Sequence, residues 1–144
     1  PGRPRQRGAQ ASFQMKPHHI GIAVKSLAQS VAHYQRMGLR VAHQEDVSSQ
    51  KVKVAFMGDG PYLELLEPTA PDSPVAKFLD QRGPGQHHLA FSVPSIAEEL
   101  KRQAAAGAEL IDKAARPGAW GHQVAFLHPK SHGGVLIELL EESH

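Results

Sequence analysis

The chain has 144 residues, 40% of them apolar, with 16 basic and 14 acidic residues, 10 histidines and no cysteine. That length accommodates one domain, or two small half-domains sharing a core. The lack of cysteine fits a reducing cytosol and excludes disulfides, thiolate ligands and a cysteine nucleophile, so any metal must be held by nitrogen and oxygen.

No apolar run approaches the roughly 20 residues needed to span a bilayer, and no apolar segment at the N-terminus suggests a secretory signal. The pI of 9.1 hints at nucleic acid, but the location of the charge argues against it. Arg3, Arg5, Arg7 and Lys16 lie in the first 17 residues, which hold no Asp or Glu; without these four, 12 basic residues face 14 acidic ones. A body with no basic excess lacks the footprint of a nucleic-acid binder. Residues 1–15 are expected to be a disordered tail or a remnant of expression, because Met15-Lys16 looks like a natural start.

His18 to Val24 alternates as a strand, with Ile20, Ile22 and Val24 on one face and His19, Gly21 and Ala23 on the other. Ser26 followed by Gln29 opens a helix with Leu27, Val31 and Tyr34 as its buried stripe, and Gly38 ends it. Leu39–Val41, Lys51–Met57 and Tyr62–Leu66 read as three strands, with Asp59-Gly60 as the turn between the last two. Pro68 to Gly85 is a linker carrying one short helix from Ser73-Pro74. The order then repeats. Gln86–Val93 is a strand, Ser95 and Glu98 open a helix closed by Gly107, and Glu109–Ile111, Gln123–Leu127 and Val135–Leu140 are strands. The predicted fold is α+β: two tandem βαβββ modules, about 16–68 and 86–144 with a linker over 69–85, forming a curved, incomplete eight-stranded barrel.

The repeat is also one of sequence. His18-His19-Ile20-Gly21-Ile22-Ala23-Val24 returns as His87-His88-Leu89-Ala90-Phe91-Ser92-Val93 after 69 positions, and Leu63-Glu64-Leu65-Leu66-Glu67 as Ile137-Glu138-Leu139-Leu140-Glu141 after 74. Repeats are structural first, but this one repeats polar residues inside apolar strands. Alternation puts His19, Glu64, His88 and Glu138 on the concave face, beside small residues (Gly21, Ala23, Ala90, Ser92) that leave room for a ligand. A buried carboxylate demands a partner. Two imidazoles and two carboxylates suit a divalent cation such as cobalt, nickel, manganese, iron or zinc, with positions left open for a substrate carrying two oxygens. His33, His43, His122, His128, His132 and His144 are read as structural or surface residues.

On these residues, together with Ser73-Pro74-Val75-Ala76-Lys77-Phe78-Leu79 and the stretch His128-Pro129-Lys130 to Gly133-Gly134-Val135-Leu136-Ile137-Glu138, the chain resembles the vicinal oxygen chelate superfamily and, within it, the methylmalonyl-CoA epimerase family. The resemblance covers about Lys16 to Glu141. It implies a divalent metal on His19, Glu64, His88 and Glu138, with Glu138 also moving a proton. The implied reaction is inversion at C2 of an acyl-CoA, methylmalonyl-CoA, through a metal-stabilised enolate. It further implies a homodimer in the cytoplasm, or in the mitochondrial matrix of a eukaryote. Some family members carry a second glutamate on the strand corresponding to Lys51–Met57. Here that position aligns with Val54, which leaves Glu45 or a metal-bound water as the second proton carrier. The alternatives are a glyoxalase-like isomerase acting on a thiohemiacetal, an iron oxygenase, and a non-catalytic binding protein of the same fold.

Overall fold

The structure is a computed structural model and describes residues 14–143, so all but the last two residues of the expected tail lie outside the described residues. The chain runs β1 (Lys16–Ala23), α1 (Leu27–Arg36), β2 (Val41–Val47), β3 (Val52–Met57), β4 (Tyr62–Pro68), α2 (Pro74–Arg82), β5 (Gly85–Ser92), α3 (Ile96–Ala105), β6 (Arg116–Pro117), β7 (Gln123–Leu127) and β8 (Ile137–Glu141). The eight strands form one curled sheet in the order β2-β3-β4-β1-β5-β8-β7-β6. Each half has the same internal order, with β1 parallel to β4 and β5 parallel to β8, and the halves join through the antiparallel β1–β5 pair. This is the α+β half-barrel predicted from the repeat.

The outer face is covered by helices. Val24, Leu27, Val31, Ala55, Met57 and Leu65 pack α1 onto the first half. Val93, Ile96, Leu100, Ala125, Leu127, Ile137 and Leu139 pack α3 onto the second. Both helices are capped as predicted: the Ser26 Oγ accepts the Gln29 N–H and the Ser95 Oγ accepts the Glu98 N–H, each at 3.2 Å. The first helical N–H of each is taken by a glutamate from the sheet. Leu27 donates to Glu67 Oε1 at 2.7 Å and Ile96 donates to Glu141 Oε1 at 2.9 Å. A carboxylate at a helix N-terminus is favoured by the local dipole. The second glutamate of each repeated strand, three residues past the first, therefore faces outward and ties helix to sheet.

Two predicted strands need correction. Leu39–Val41 is not one; β2 begins at Val41 and continues through His43 and Glu45. Glu109–Ile111 contributes a single bridge, Leu110 to Leu127, and the sheet edge is instead the two-residue β6. An edge strand of polar residues carries no apolar alternation to be read.

Candidate metal centre

The register of the central strands assembles the site in two rungs. Gly21 on β1 stands between Glu64 on β4 and His88 on β5. Ala90 on β5 stands between His19 on β1 and Glu138 on β8. Each rung thus holds one imidazole, one carboxylate and a small residue between them. One more strand outward, Phe56 pairs with Glu64 and Phe126 with Glu138. These phenyl rings meet the imidazoles edge-on, Phe56 to His19 at 5.4 Å and Phe126 to His88 at 5.9 Å between centroids, and shield the rungs from water.

All four sequence-predicted residues come together, with one donor atom from each within 4.8 Å of the others. His19 Nε2 lies 3.1 Å from Glu64 Oε1 and 3.3 Å from Glu138 Oε1. His88 Nε2 lies 3.3 Å from Glu64 Oε1 and 2.9 Å from Glu138 Oε1. The two Nε2 atoms are 3.1 Å apart. None of the four residues is more than 6% exposed. Donors bonded to one ion at about 2.1 Å stand about 3.0 Å apart when adjacent on an octahedron and about 3.4 Å apart on a tetrahedron. The five distances, 2.9–3.3 Å, fall around these values, so the donor set fits a single divalent ion of borderline-to-hard character.

The electrostatics show how tightly the groups are coupled. Burial is the largest single influence on both imidazoles and pulls them down. Hydrogen bonds and charge from Glu138 and Glu64 outweigh it, holding His19 at about 10 and His88 at about 9. Burial likewise raises the two carboxyls, but His19 and His88 hold both below the usual carboxylate range. In the metal-free protein the histidine contribution to stability is complete below the ordinary value of 6.5 and is lost as pH rises through 9 to 10. The carboxylate contribution is present above 4.5 and is lost as pH falls. A cation must displace both imidazole protons. At pH 7, Co²⁺ binding is therefore expected to release about two protons per ion, and affinity to climb with pH up to about 10. Calorimetry in buffers of different ionisation enthalpy reads the proton count; release of none would contradict this electrostatic picture.

Sequence alternation missed a second layer. His18 and His87 do not point away from their neighbours: His18 Nδ1 lies 2.8 Å from His19 Nδ1, and His87 Nδ1 lies 2.9 Å from His88 Nδ1. Burial, then the charge on the adjacent histidine, pushes both down to about 4, so both are neutral at pH 7. The only hint in the sequence was that the histidine pair itself is repeated.

The cluster lies on the wall of a cavity of about 460 Å³, lined otherwise largely by apolar side chains including Val54, Leu66, Val124 and Leu140. Val54 is buried and, as read from the sequence, not acidic. Its cross-strand partner is Glu45 on β2, which shares its face of the sheet. Glu45 Oε1 accepts from His43 Nε2 at 2.7 Å and from the Trp120 N–H at 2.8 Å. Trp120, at φ 62°, stacks on His43 with ring centroids 4.9 Å apart. A loop of the second half thereby reaches the edge strand of the first and fixes Glu45. His43 and His122 are part of this aromatic cluster, His122 lying 5.4 Å from His18 between centroids.

The fold and the site together define a class. The model of the glyoxalase/bleomycin resistance protein/dioxygenase superfamily matches residues 18–126, and the chain belongs to that superfamily. It is 45% identical to the uncharacterized protein YqjC of Bacillus subtilis, over 85% of this chain and 89% of that one. It is 35% identical to the mitochondrial methylmalonyl-CoA epimerase of Dictyostelium discoideum, over 88% of this chain and 78% of that one. A solved methylmalonyl-CoA epimerase in complex with methylmalonyl-CoA and ammonium superposes with a TM-score of 0.84 at 36% identity, covering 90% of this chain and 95% of that one. No helix among the described residues is long and apolar enough to cross a membrane.

Proposed function

We propose that the chain is a metal-dependent epimerase that inverts C2 of methylmalonyl-CoA. The observation that carries this reading is the convergence of two imidazole nitrogens and two carboxylate oxygens on one buried point at a cavity wall, in a chain similar to methylmalonyl-CoA epimerases over most of its length. His19, Glu64, His88 and Glu138 would hold the divalent ion. When bound, the ion supplies Lewis acidity toward a substrate with two nearby oxygens.

C2 lies between a thioester and a carboxylate, so its proton is acidic, and losing it gives an enolate. Glu138 takes that proton with the carboxylate oxygen that is not turned to the imidazoles. Phe56, Phe126 and Leu140 keep water from the reacting carbon and strengthen the charge interactions around it. Inversion needs a second carrier on the opposite face. Glu45 is the candidate, because it shares a sheet face with its cross-strand partner Val54, which lines the same cavity as Glu138, and because His43 and the Trp120 N–H hold its carboxylate in place. Glu45→Gln is expected to slow epimerisation by about 10²-fold or more, while deuterium exchange survives for the one enantiomer whose proton Glu138 takes. Equal loss of exchange from both enantiomers would remove Glu45 from this role.

The test of the whole reading is proton NMR of methylmalonyl-CoA in deuterium oxide with Co²⁺-loaded protein, with and without chelator. The C2 proton is expected to wash out only when metal is present. Folded, metal-loaded protein giving neither exchange nor inversion would overturn the reading, and activity on methylglyoxal plus a thiol in its place would point to a glyoxalase-like isomerase.

A further inference from the structure

The β1–β5 pairing contains two irregularities, and both fall on a histidine. Pro17 pairs with Phe91 and His19 with Ala90, so His18 is an extra residue on β1. Gly21 pairs with His88 and Ile22 with Gln86, so His87 is an extra residue on β5. A bulge places two consecutive side chains against one residue of the partner strand and re-aims them. In a regular strand His18 and His87 would point away from their neighbours. With the bulges, His18 turns to His19 and His87 to His88, Nδ1 to Nδ1, at 2.8 and 2.9 Å. Two bulges at equivalent places in the two halves, one on each strand, produce the same contact twice.

We propose that His18 and His87 are positioning residues for the metal centre, each accepting the Nδ1–H of the histidine that follows it. This rests on the metal-centre reading above. An imidazole that binds a cation through Nε2 carries its proton on Nδ1, and a partner for that proton fixes the tautomer and the ring plane. Neither His18 nor His87 can accept at Nδ1 unless that nitrogen is unprotonated. Each is then a neutral ring with its proton on Nε2; in His18 that atom faces Glu142 Oε2 at 4.0 Å. The choice of imidazole over carboxylate follows from charge. Glu64 and Glu138 already balance a divalent ion, and carboxylates behind the histidines would add two unmatched negative charges to a buried site. Neutral rings orient the ligands without altering the charge. The two positions differ in surroundings: His18 packs against Tyr62 and His122, whereas His87 packs against Phe78 and lines the cavity.

The test measures Co²⁺ affinity of the whole chain, by calorimetry and by the visible absorption of the bound ion, in the parent and in His18→Phe, His18→Asn, His87→Phe and His87→Asn. Phenylalanine keeps the ring and loses the acceptor, while asparagine keeps an acceptor oxygen near the Nδ1 position. Each Phe variant is expected to raise the Kd about 10- to 100-fold, and each Asn variant to stay within about threefold of the parent. Nitrogen-15 NMR of the Zn²⁺-loaded parent is expected to show His18 and His87 protonated on Nε2, and His19 and His88 protonated on Nδ1. Phe variants that bind Co²⁺ like the parent, or Asn variants that lose as much as Phe, would overturn the inference and leave the metal centre standing. A parent that takes up no Co²⁺ would overturn both.

Discussion

Glu138→Gln is expected to lower the rate of deuterium exchange at C2 of methylmalonyl-CoA by about 10²- to 10⁴-fold, the range supplied by a positioned acid or base, with the fold intact. Glutamine matches the shape of the side chain, and the position sits within β8 between well-packed Ile137 and Leu139. What the amide loses is the ability to take a proton. It also removes one of two negative charges, so metal affinity falls as well, and the exchange must be read at saturating Co²⁺ to separate the two effects. Glu64→Gln is the internal control. It makes the same chemical change at the equivalent place in the other half, at the same depth of burial. Glu64, on β4, stands two strands from β2 in the sheet order, whereas Glu138, on β8, stands five away, so the two carboxylates are not placed alike relative to Glu45. Its amide variant is expected to keep exchange within about tenfold of the parent once loaded, well above the loss an acid–base residue causes. If Glu138→Gln turns over like the parent, or if the two variants fall equally, Glu138 has no special place in proton transfer.

The four central residues were legible because the sheet obeys a period of two wherever its two faces differ in polarity. Glu64 between Leu63 and Leu65, and Glu138 between Ile137 and Leu139, could be assigned to the inner face on alternation alone, and duplication made chance unlikely to account for both. The same rule was not enough at three kinds of place. At β2 the inner face carries His43 and Glu45 and the outer face meets solvent, so polarity does not alternate and the strand was not seen. At His18 and His87 a bulge breaks the period, so strict alternation would put each side chain on the wrong side. At Glu67 and Glu141 alternation gives the outer face correctly, but their bonds to the first N–H of α1 and α3 depend on where a helix distant in sequence comes to lie. In the last two cases the residue was itself repeated between the halves. A polar residue that recurs in an internal repeat is therefore a sign of a contact even where the local pattern gives it no role.

Gly21→Ala is expected to weaken Co²⁺ binding by more than about 100-fold, exceeding the usual loss of an outer-sphere partner, through one added methyl group. Gly21 stands directly between Glu64 and His88 in the register. A Cβ there would lie 2.1 Å from His88 Cε1, 2.3 Å from its Nδ1 and 2.6 Å from its Nε2, which is inside the space the ring occupies. The backbone of β1 is held on both sides by β4 and β5, so the imidazole has to move. Moving it takes Nε2 from the cluster and Nδ1 from His87 in one step. Overpacking of this kind costs about 1–3 kcal/mol, less than the total stability of about 5–15 kcal/mol typical of a domain, so the variant is expected to fold. The equivalent residue of the other rung, Ala90, already carries a Cβ between His19 and Glu138, so Ala90→Gly is expected to leave binding close to that of the parent. The mechanism is checked by a double-mutant cycle on metal-free protein. In a His88→Ala background the ring is gone, and Gly21→Ala is expected to cost nothing beyond about 0.5 kcal/mol, the scatter of independent sites. An undiminished cost in that background would mean that the methyl group strains the strand itself, and that His88 does not stand where the rung requires it.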